Sequence, residues 1–470
     1  MSLTWNGRVG SPAAVALLTT AVAVCGGKVP AARMSYLDNG RVRVGVSLAM
    51  GGAITYVARS GGKENLVNHA DLGREIQMSD YSGPNPYGKG NQPGSPGLGW
   101  NPVQAGSVCG NPSRVVYFKN NGRSLLVRCI PMIWPLCNVP ARCTFQTRIS
   151  LRGDAVHVHC RMRVFRKNTA QYPAHWQECP AIYTIGKLWR LVSYIGSKPF
   201  TGGAVTMLDP PAVIARKWLV FAGKRRGHPW IPFNATENWA ALVNKAGFGL
   251  GIWAPGDYQF HGGFFGSPGS GGPGNGQTGY IAPNFKDIID HNIVYRYHYV
   301  LIVGSLAQIR RYAYAHATRS ISPQWVFAND RQHWIYSDAS DTGWPIRGCL
   351  NVSLAGKHPE LIGPTLFWPA VKAPVLYIDA ALKTTRKTGS IWWRRFHDQG
   401  FSPTRRVVFP VDGDGRYHRY AIRLAGRRGY SGAIAQLRID PVENGGRGMW
   451  MKIKSVGFAK PAGASPGKTE

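Results

Sequence analysis

The sequence predicts an all-β protein made of two sandwiches, and three observations predict it. Apolar residues recur with period two along most patterned segments, turn residues punctuate those segments at short intervals, and helical spacing is confined to residues 305–317. A chain of 470 residues with 44% hydrophobic content can bury more than one core, which excludes overall disorder.

The elements follow in order. Residues 12–24 form an apolar run too short to span a bilayer, with Arg8 before it and Ala31-Ala32 after it, so 1–32 reads as a secretory signal. No second stretch is long enough to cross a membrane. From 41 to 48, Val42, Val44, Val46 and Leu48 alternate with Arg41, Arg43, Gly45 and Ser47, and Gly51-Gly52 turns the chain into a second strand. The runs 115–118 and 125–130 flank Asn120-Asn121-Gly122, a hairpin signal because Asn and Gly tolerate positive φ. Gly153-Asp154 joins 144–151 to 155–165, and that turn explains Arg152-Gly153-Asp154 better than an adhesion motif does. The stretch 290–304 reads as one strand, with His291, Ile293, Tyr295, Tyr297 and Tyr299 on one face and Arg296 and His298 on the other. Two Gly/Pro-rich segments, 83–112 and 262–279, read as rims of a binding cleft.

These features place one β unit at 35–322. After a break at Ile321-Ser322-Pro323, a second all-β unit spans 330–460, with strands at 375–380, 406–411, 416–424, 434–439 and 451–458. Asp412-Gly413-Asp414-Gly415 reads as a hairpin turn, and 461–470 as a disordered tail.

Eight cysteines suit an oxidising compartment, and loss of Cys25 with the signal leaves seven, one of them unpaired. Six crowd between Cys109 and Cys179, enough for up to three bridges, while Cys349 stands apart. Cys137 and Cys143 lie in a Pro-rich loop and are the ones expected in bridges; Cys160, alternating with valines, reads as a buried thiol.

The net charge of +33, from 56 basic against 23 acidic residues, suits polyanionic partners, although an arginine-rich composition gives the same excess with no ligand. Residues 372–460 hold 18 Lys/Arg against 6 Asp/Glu, so 18 − 6 = +12 falls on the second unit. Nucleic acid is not the expected partner, because no helix-turn-helix, zinc-finger or aromatic RNA-binding signature accompanies the charge. Phosphate loops, nucleophile elbows and dinucleotide fingerprints are missing as well, and no cofactor is expected.

Candidate site residues come from polar runs with aromatic surroundings. Asn65, Asn68, Asp71, Arg74, Gln77 and Tyr81 stand close together in a mix suited to hydroxyl-rich ligands. Glutamate is scarce, with seven in the chain, yet Glu178 stands beside His175 and Trp176, and Glu237 beside Trp239. Rings stack on apolar sugar faces, while carboxylates accept hydroxyl hydrogen bonds or move protons. The alternative is that each Glu balances a buried Arg. His291 or His298, with Arg296 and a tyrosine, is equipment for β-elimination of uronates. His157 and His159 share a strand face without a third ligand at metal-site spacing, so no metal is expected. In SIWWRRF at 390–396, Trp392 can stack on a sugar while an Arg binds an anion, with one of the two tryptophans in the core.

The hairpin at 41–58 and the following Asn68, Asp71, Gly73 and Arg74 resemble the start of secreted proteins with a galactose-mutarotase-like β-supersandwich. That fold is shared by sugar epimerases, some polysaccharide lyases and glycosidase accessory domains. The ending LRIDPVENGGRGMWMKIKSVGFA resembles the last strands of jelly-roll carbohydrate-binding modules. The resemblance implies a supersandwich followed by a jelly-roll sandwich, and no catalytic motif of a specific enzyme matches position by position. The expectation is a secreted protein that recognises an acidic polysaccharide. Glu178 is its expected acid or base, His291 the partner and Glu237 a second carboxylate; Asp71, Arg74, Gln77, Tyr81, His175, Trp239, Arg296 and Trp392 are its expected contacts. Glycoside hydrolysis and uronate elimination both fit these residue types, and so does a non-catalytic binder.

Overall fold

The computed structural model describes residues 33–88, 97–208, 230–317 and 322–459. The expected signal segment and the tail from 461 lie outside them, as does the basic run Lys224-Arg225-Arg226. Two large sheets are built from strands between Met34 and Ser305. The ten-stranded sheet runs Met34–Asp38, Val42–Ser47, Ala53–Arg59, Ile76–Ser79, His175–Ile185, Thr278–Asp287, Gln259–Phe265, Trp230–Asn234, with Pro102–Val103 and Met132–Ile133 attached beside Ile76–Ser79. The nine-stranded sheet runs Thr206–Met207, Arg190–Ser193, Trp239–Val243, Phe248–Trp253, Val294–Ser305, Ala155–Val164, Cys143–Arg152, Ser124–Ile130, Arg114–Asn120. Long antiparallel pairings dominate both.

The period-two pattern explains how the sheets meet. Val42, Val44 and Val46 point inward from one sheet and Val127, Phe145, Val158 and Tyr299 from the other, all buried in one core. Gly51-Gly52 is required here by φ of 59° and 75° and by space: a Cβ on Gly51 would lie 1.8 Å from the Gln104 carbonyl oxygen. Both expected hairpins form, with Asn121 Oδ1 accepting from the Ser124 amide and Gly153 at φ 55°. The helix is Leu306–His316, started by a capping box between Ser305 and Gln308, and its Ile309 and Ala313 are buried against the back of the nine-stranded sheet.

The segment 83–112 is not a cleft rim in its described part. Trp100 is fully buried, Asn101 donates to the Asp80 carbonyl, and Gln104 bonds back to Met78 and Gly51, so this chain packs into the sandwich. The long strand starts at Val294, which leaves His291 in the preceding turn rather than on a strand face.

Strands between Gln324 and Gly457 make two further sheets of six strands each over a separate core that includes Trp334, Ile378, Trp393, Ile439 and Ile453. Trp393 is the core member of the tryptophan pair. Asp412-Gly413-Asp414-Gly415 does not close a hairpin: Arg406–Pro410 pairs with Thr388–Arg395 in one sheet, and Asp414–Arg423 pairs with Val375–Lys383 in the other. The turn carries the chain across the sandwich, because both flanking strands have an apolar face that the same core must cover.

Among the described residues one disulfide forms, Cys109–Cys137. Cys143 is not in the loop but opens the strand Cys143–Arg152 as a buried free thiol, as are Cys129, Cys160 and Cys179. Among the described residues no helix is long and apolar enough to cross a membrane.

Candidate functional site

The ten-stranded sheet has a second face, turned away from the core. Along His175–Ile185 and Thr278–Asp287 the side chains alternate, so Cys179, Ile182 and Ile281 enter the core while Trp176, Glu178, Asn284 and Lys286 face outward. The register pairs Trp176 with Lys286 and Glu178 with Asn284. His261, one strand further, sets its ring edge-on to Trp176 at 6.2 Å, and its Nδ1 lies 2.6 Å from Asn284 Oδ1. Asn284 Nδ2 donates to the Gln177 carbonyl, which leaves Oδ1 as the acceptor and puts the His261 proton on Nδ1. Burial lowers the His261 pKa and keeps the ring neutral.

Glu178 is buried between two phenols. Tyr81 Oη donates to Oε2 at 2.9 Å and Tyr280 Oη donates to Oε1. Burial raises its carboxyl above the usual range against the opposing effect of those hydrogen bonds.

This face continues into a cleft of about 310 Å³ whose far wall belongs to the second sandwich. Trp176, Asp257, Gln259, Asn284, Phe285 and Lys286 line one side; His333, Thr365, Arg394, Phe401 and Gln436 line the other. Two titratable groups in it are unusual. Asp257 accepts from the Gln259 amide through Oδ1, while Oδ2 is buried with no hydrogen-bond partner among the described residues. Burial holds this carboxyl well above the usual range, with His333 close enough to oppose the shift. His333 Nδ1 lies 2.9 Å from Asp287 Oδ2, which also accepts from Tyr295 Oη at 2.6 Å. Burial alone would lower the imidazole, but Asp287 outweighs it and the net direction is up. The ring also stacks on Phe285 at 3.9 Å and 10°. With Nδ1–H held by a carboxylate, Nε2 is the nitrogen available to a ligand.

The backbone that presents His333 is strained. Gln332 and His333 both sit in the left-handed region, at φ 48° and 62°, a conformation that costs a non-glycine residue roughly 1–2 kcal/mol. Local bonds hold it: the Gln332 amide donates to Asp330 Oδ1 and its side chain to the Val326 carbonyl. Alongside, Arg331 joins the two sandwiches, with Nη1 2.6 Å from Asp290 Oδ2 and Nε 2.6 Å from Asp341 Oδ2. Gln171 also reaches Asp341, at 2.7 Å, and Asn292 donates to the Trp344 carbonyl.

Only some of the residues expected from sequence converge here. Glu178 and Tyr81 do meet, and His175 lies close enough to Lys286 for that charge, after burial, to lower its pKa. Asp71 and Arg74 pair with each other at 2.9 Å, Arg74 also donating to the Gly276 carbonyl, and Gln77 spends its amide on the Leu72 carbonyl, Glu75 and the Ala105 amide. His291 is no partner of Glu178: both carboxylate oxygens are held by tyrosines, and the His291 carbonyl accepts from the Arg166 amide at the turn between the large sheets. Glu237 belongs to a different place, ion-paired to Arg310 at 2.9 Å beyond the nine-stranded sheet, and Trp239, fully buried, donates to it from the core. Arg296 sits on the outer face of the nine-stranded sheet. Trp392 has the guanidinium groups of Arg438 and Arg406 over its ring, at 4.2 and 5.1 Å, where a sugar would stack. His157 faces Tyr312, and among the described residues no group of three or more His, Cys, Asp or Glu is arranged to hold a metal.

No protein-family model matches the chain, and no curated protein does. Among solved structures it is similar to a galactose mutarotase related enzyme from Lactobacillus acidophilus, with 11% identity and a TM-score of 0.38 over 58% of this chain and 97% of that one. A galactose mutarotase-like protein from Lactobacillus casei is similar at 11% identity and a TM-score of 0.32, over 57% of this chain and 99% of that one.

Asp257, His261, Asn284 and His333 escaped the reading of the sequence. His333 stands in the connection between two units, where no strand pattern draws attention. Its one signal was the polar-aromatic run 329–337, NDRQHWIYS, followed by Asp338.

Proposed function

We propose that the chain binds a carbohydrate in the cleft between its two sandwiches and moves a proton there, with Asp257 as the acid and His333 as its partner base. The observation that carries this reading is Asp257 Oδ2, a buried carboxyl oxygen without a hydrogen-bond partner in a cleft that also holds an imidazole positioned by Asp287. Burial disfavours ionisation of Asp257, which leaves its carboxyl a proton to donate; His333, with Nδ1–H fixed toward Asp287, presents Nε2 as the receiving nitrogen when the ring is neutral. Trp176 supplies a ring for the apolar side of a sugar, and Gln259, Asn284 and Gln436 supply amides for its hydroxyls. Glu178, paired in register with Asn284 and with both oxygens held, positions the floor rather than touching ligand.

The volume, about 310 Å³, is at the low end of the roughly 300–1,000 Å³ usual for small-molecule sites. It suits a chain end or a short branch rather than a long stretch of polymer. Export of the mature chain belongs to this proposal, on the strength of the 12–24 apolar run. The test is product formation from acidic and neutral oligosaccharides by wild type, Asp257→Asn and His333→Gln. Loss of turnover in both, with ligand binding retained, is expected. Turnover in either variant at the wild-type rate removes that residue from the chemistry, and binding with no turnover in wild type makes the cleft a recognition site alone.

A further inference from the structure

The outer face of the nine-stranded sheet, on the far side of the core from the cleft, is a grid of cations. The pairing register aligns Arg128, Gln146, Arg161 and Arg296 in one row across four strands. The next row is Leu126, Arg148, His159 and His298. Arg163 follows on the same face of its strand, two residues beyond Arg161. These side chains face outward because their neighbours, Val127, Phe145, Val158, Cys160 and Tyr299, fill the core. Adjacent strands lie about 4.8 Å apart and successive same-face residues about 6.6 Å apart, so the guanidinium groups form a lattice rather than scattered charges.

No carboxylate stands in either row, and among the described residues none of these arginines makes an ion pair. Arg161 Nε is buried without a hydrogen-bond partner. The His159 and His298 rings stack at 5.4 Å and 16°, which lays the second row flat, and the grid forms a shallow depression of about 330 Å³. A protein surface ordinarily intersperses both signs, and a one-sign field of this size raises the local concentration of an opposite charge.

We infer that this face binds an acidic polysaccharide, its carboxylate or sulfate groups engaging Arg148, Arg161 and Arg296. The carbohydrate identity of the occupant rests on the reading of the cleft; the anionic character rests on the grid alone. Nucleic acid fits less well, because the face is a flat sheet with no element to enter a groove, and of its exposed rings His159 and His298 are stacked on each other while Tyr117 lies beside Arg128. A polymer held here leaves its end free to reach a site that admits only ends.

The full chain is titrated onto immobilised polygalacturonate, dextran and duplex DNA over a salt series. Wild type is expected to bind polygalacturonate in a salt-sensitive way, and Arg148→Gln/Arg161→Gln/Arg296→Gln to lose about tenfold in affinity, the sum of three surface charge contacts. A charge-matched control, Arg386→Gln/Arg427→Gln/Arg428→Gln on exposed turns of the second sandwich, should change it less than about twofold. If the triple variant melts early, Arg148→Gln/Arg296→Gln, both at exposed positions, replaces it. Equal loss in both sets, salt-indifferent retention, or duplex DNA bound as tightly as polygalacturonate through the same arginines overturns the proposal. Retention needs no turnover, so a silent cleft leaves this result standing on its own data.

Discussion

Glu237→Gln separates a structural carboxylate from a catalytic one. Five donors converge on Glu237: the Phe200 amide, Tyr314 Oη and Arg310 Nη2 on Oε1, and Arg310 Nε and Trp239 Nε1 on Oε2, each at 2.9 Å. A glutamine keeps one acceptor oxygen and turns two N–H groups toward the Arg310 and Trp239 donors. The carboxylate side chain is 0% exposed and Arg310 17% exposed. Breaking a buried pair costs about 3–5 kcal/mol, and the remaining water access of Arg310 places this one near about 3 kcal/mol. Unfolding entropy of about 2.1 cal/mol/K per residue over about 280 residues gives ~0.6 kcal/mol/K, so the melting temperature should fall by about 5 °C.

The pH dependence has a definite sign. Burial disfavours the Glu237 carboxylate, but Arg310 and the other donors outweigh it and hold the carboxyl below its usual range. Its contribution is therefore complete above the unfolded value of about 4.3 and is lost as pH falls through the lower folded value. Thermal melts of wild type and variant should stay apart by a constant gap from pH 6 to 8 and converge below about pH 4. An unchanged melting temperature combined with lost turnover would falsify the structural assignment.

Three further outcomes follow. Asp80 is fully buried with neither carboxyl oxygen hydrogen-bonded among the described residues, and burial, then the charges of Glu178 and Asp287, push it well up. Its protonated form fits and its ionised form does not, so stability is full below about pH 3.9 and declines as pH rises toward the raised value. Asp80→Asn should melt higher than wild type at pH 8 to 9 and lose that advantage toward pH 4; a lower melting temperature at every pH would refute this. Cys109 and Cys137 close a loop with a sequence separation of 28, for which chain entropy predicts a loss of about 3–4 kcal/mol in Cys109→Ser. Thiol titration of the native chain should find Cys349, half-exposed, reacting before the four buried cysteines; fast reaction of several thiols would contradict their burial.

Strand positions were legible in the sequence because sheet burial has a period of two, and valines at 42, 44 and 46 announce it without help from the rest of the chain. The Asn-Asn-Gly and Gly-Asp turns were legible for the same local reason, as was the capped helix after Ser305. Sheet membership was not. Asp412 to Gly415 has the composition of a hairpin turn, and nothing within those four residues says that its strands belong to opposite sheets. The site was legible only where one strand carried it, as with Glu178. Asp257 and His333 stand 76 positions apart in sequence (333 − 257) and meet because two separately built cores are docked. Glu237 stood out by its aromatic surroundings, but Arg310, the residue that decides its role, lies on the helix 73 positions later.

The Arg331 joint has an evolutionary consequence. Sandwich modules are commonly treated as units that recombination can exchange at their connections. Here the connecting residues carry a bond between the two sandwiches, since Arg331 answers to Asp290 on one side and Asp341 on the other, two positions before the imidazole that shares the cleft with Asp257. A transplanted second module without that set would keep its own core and lose the registration. The productive unit of inheritance in this chain is the seam.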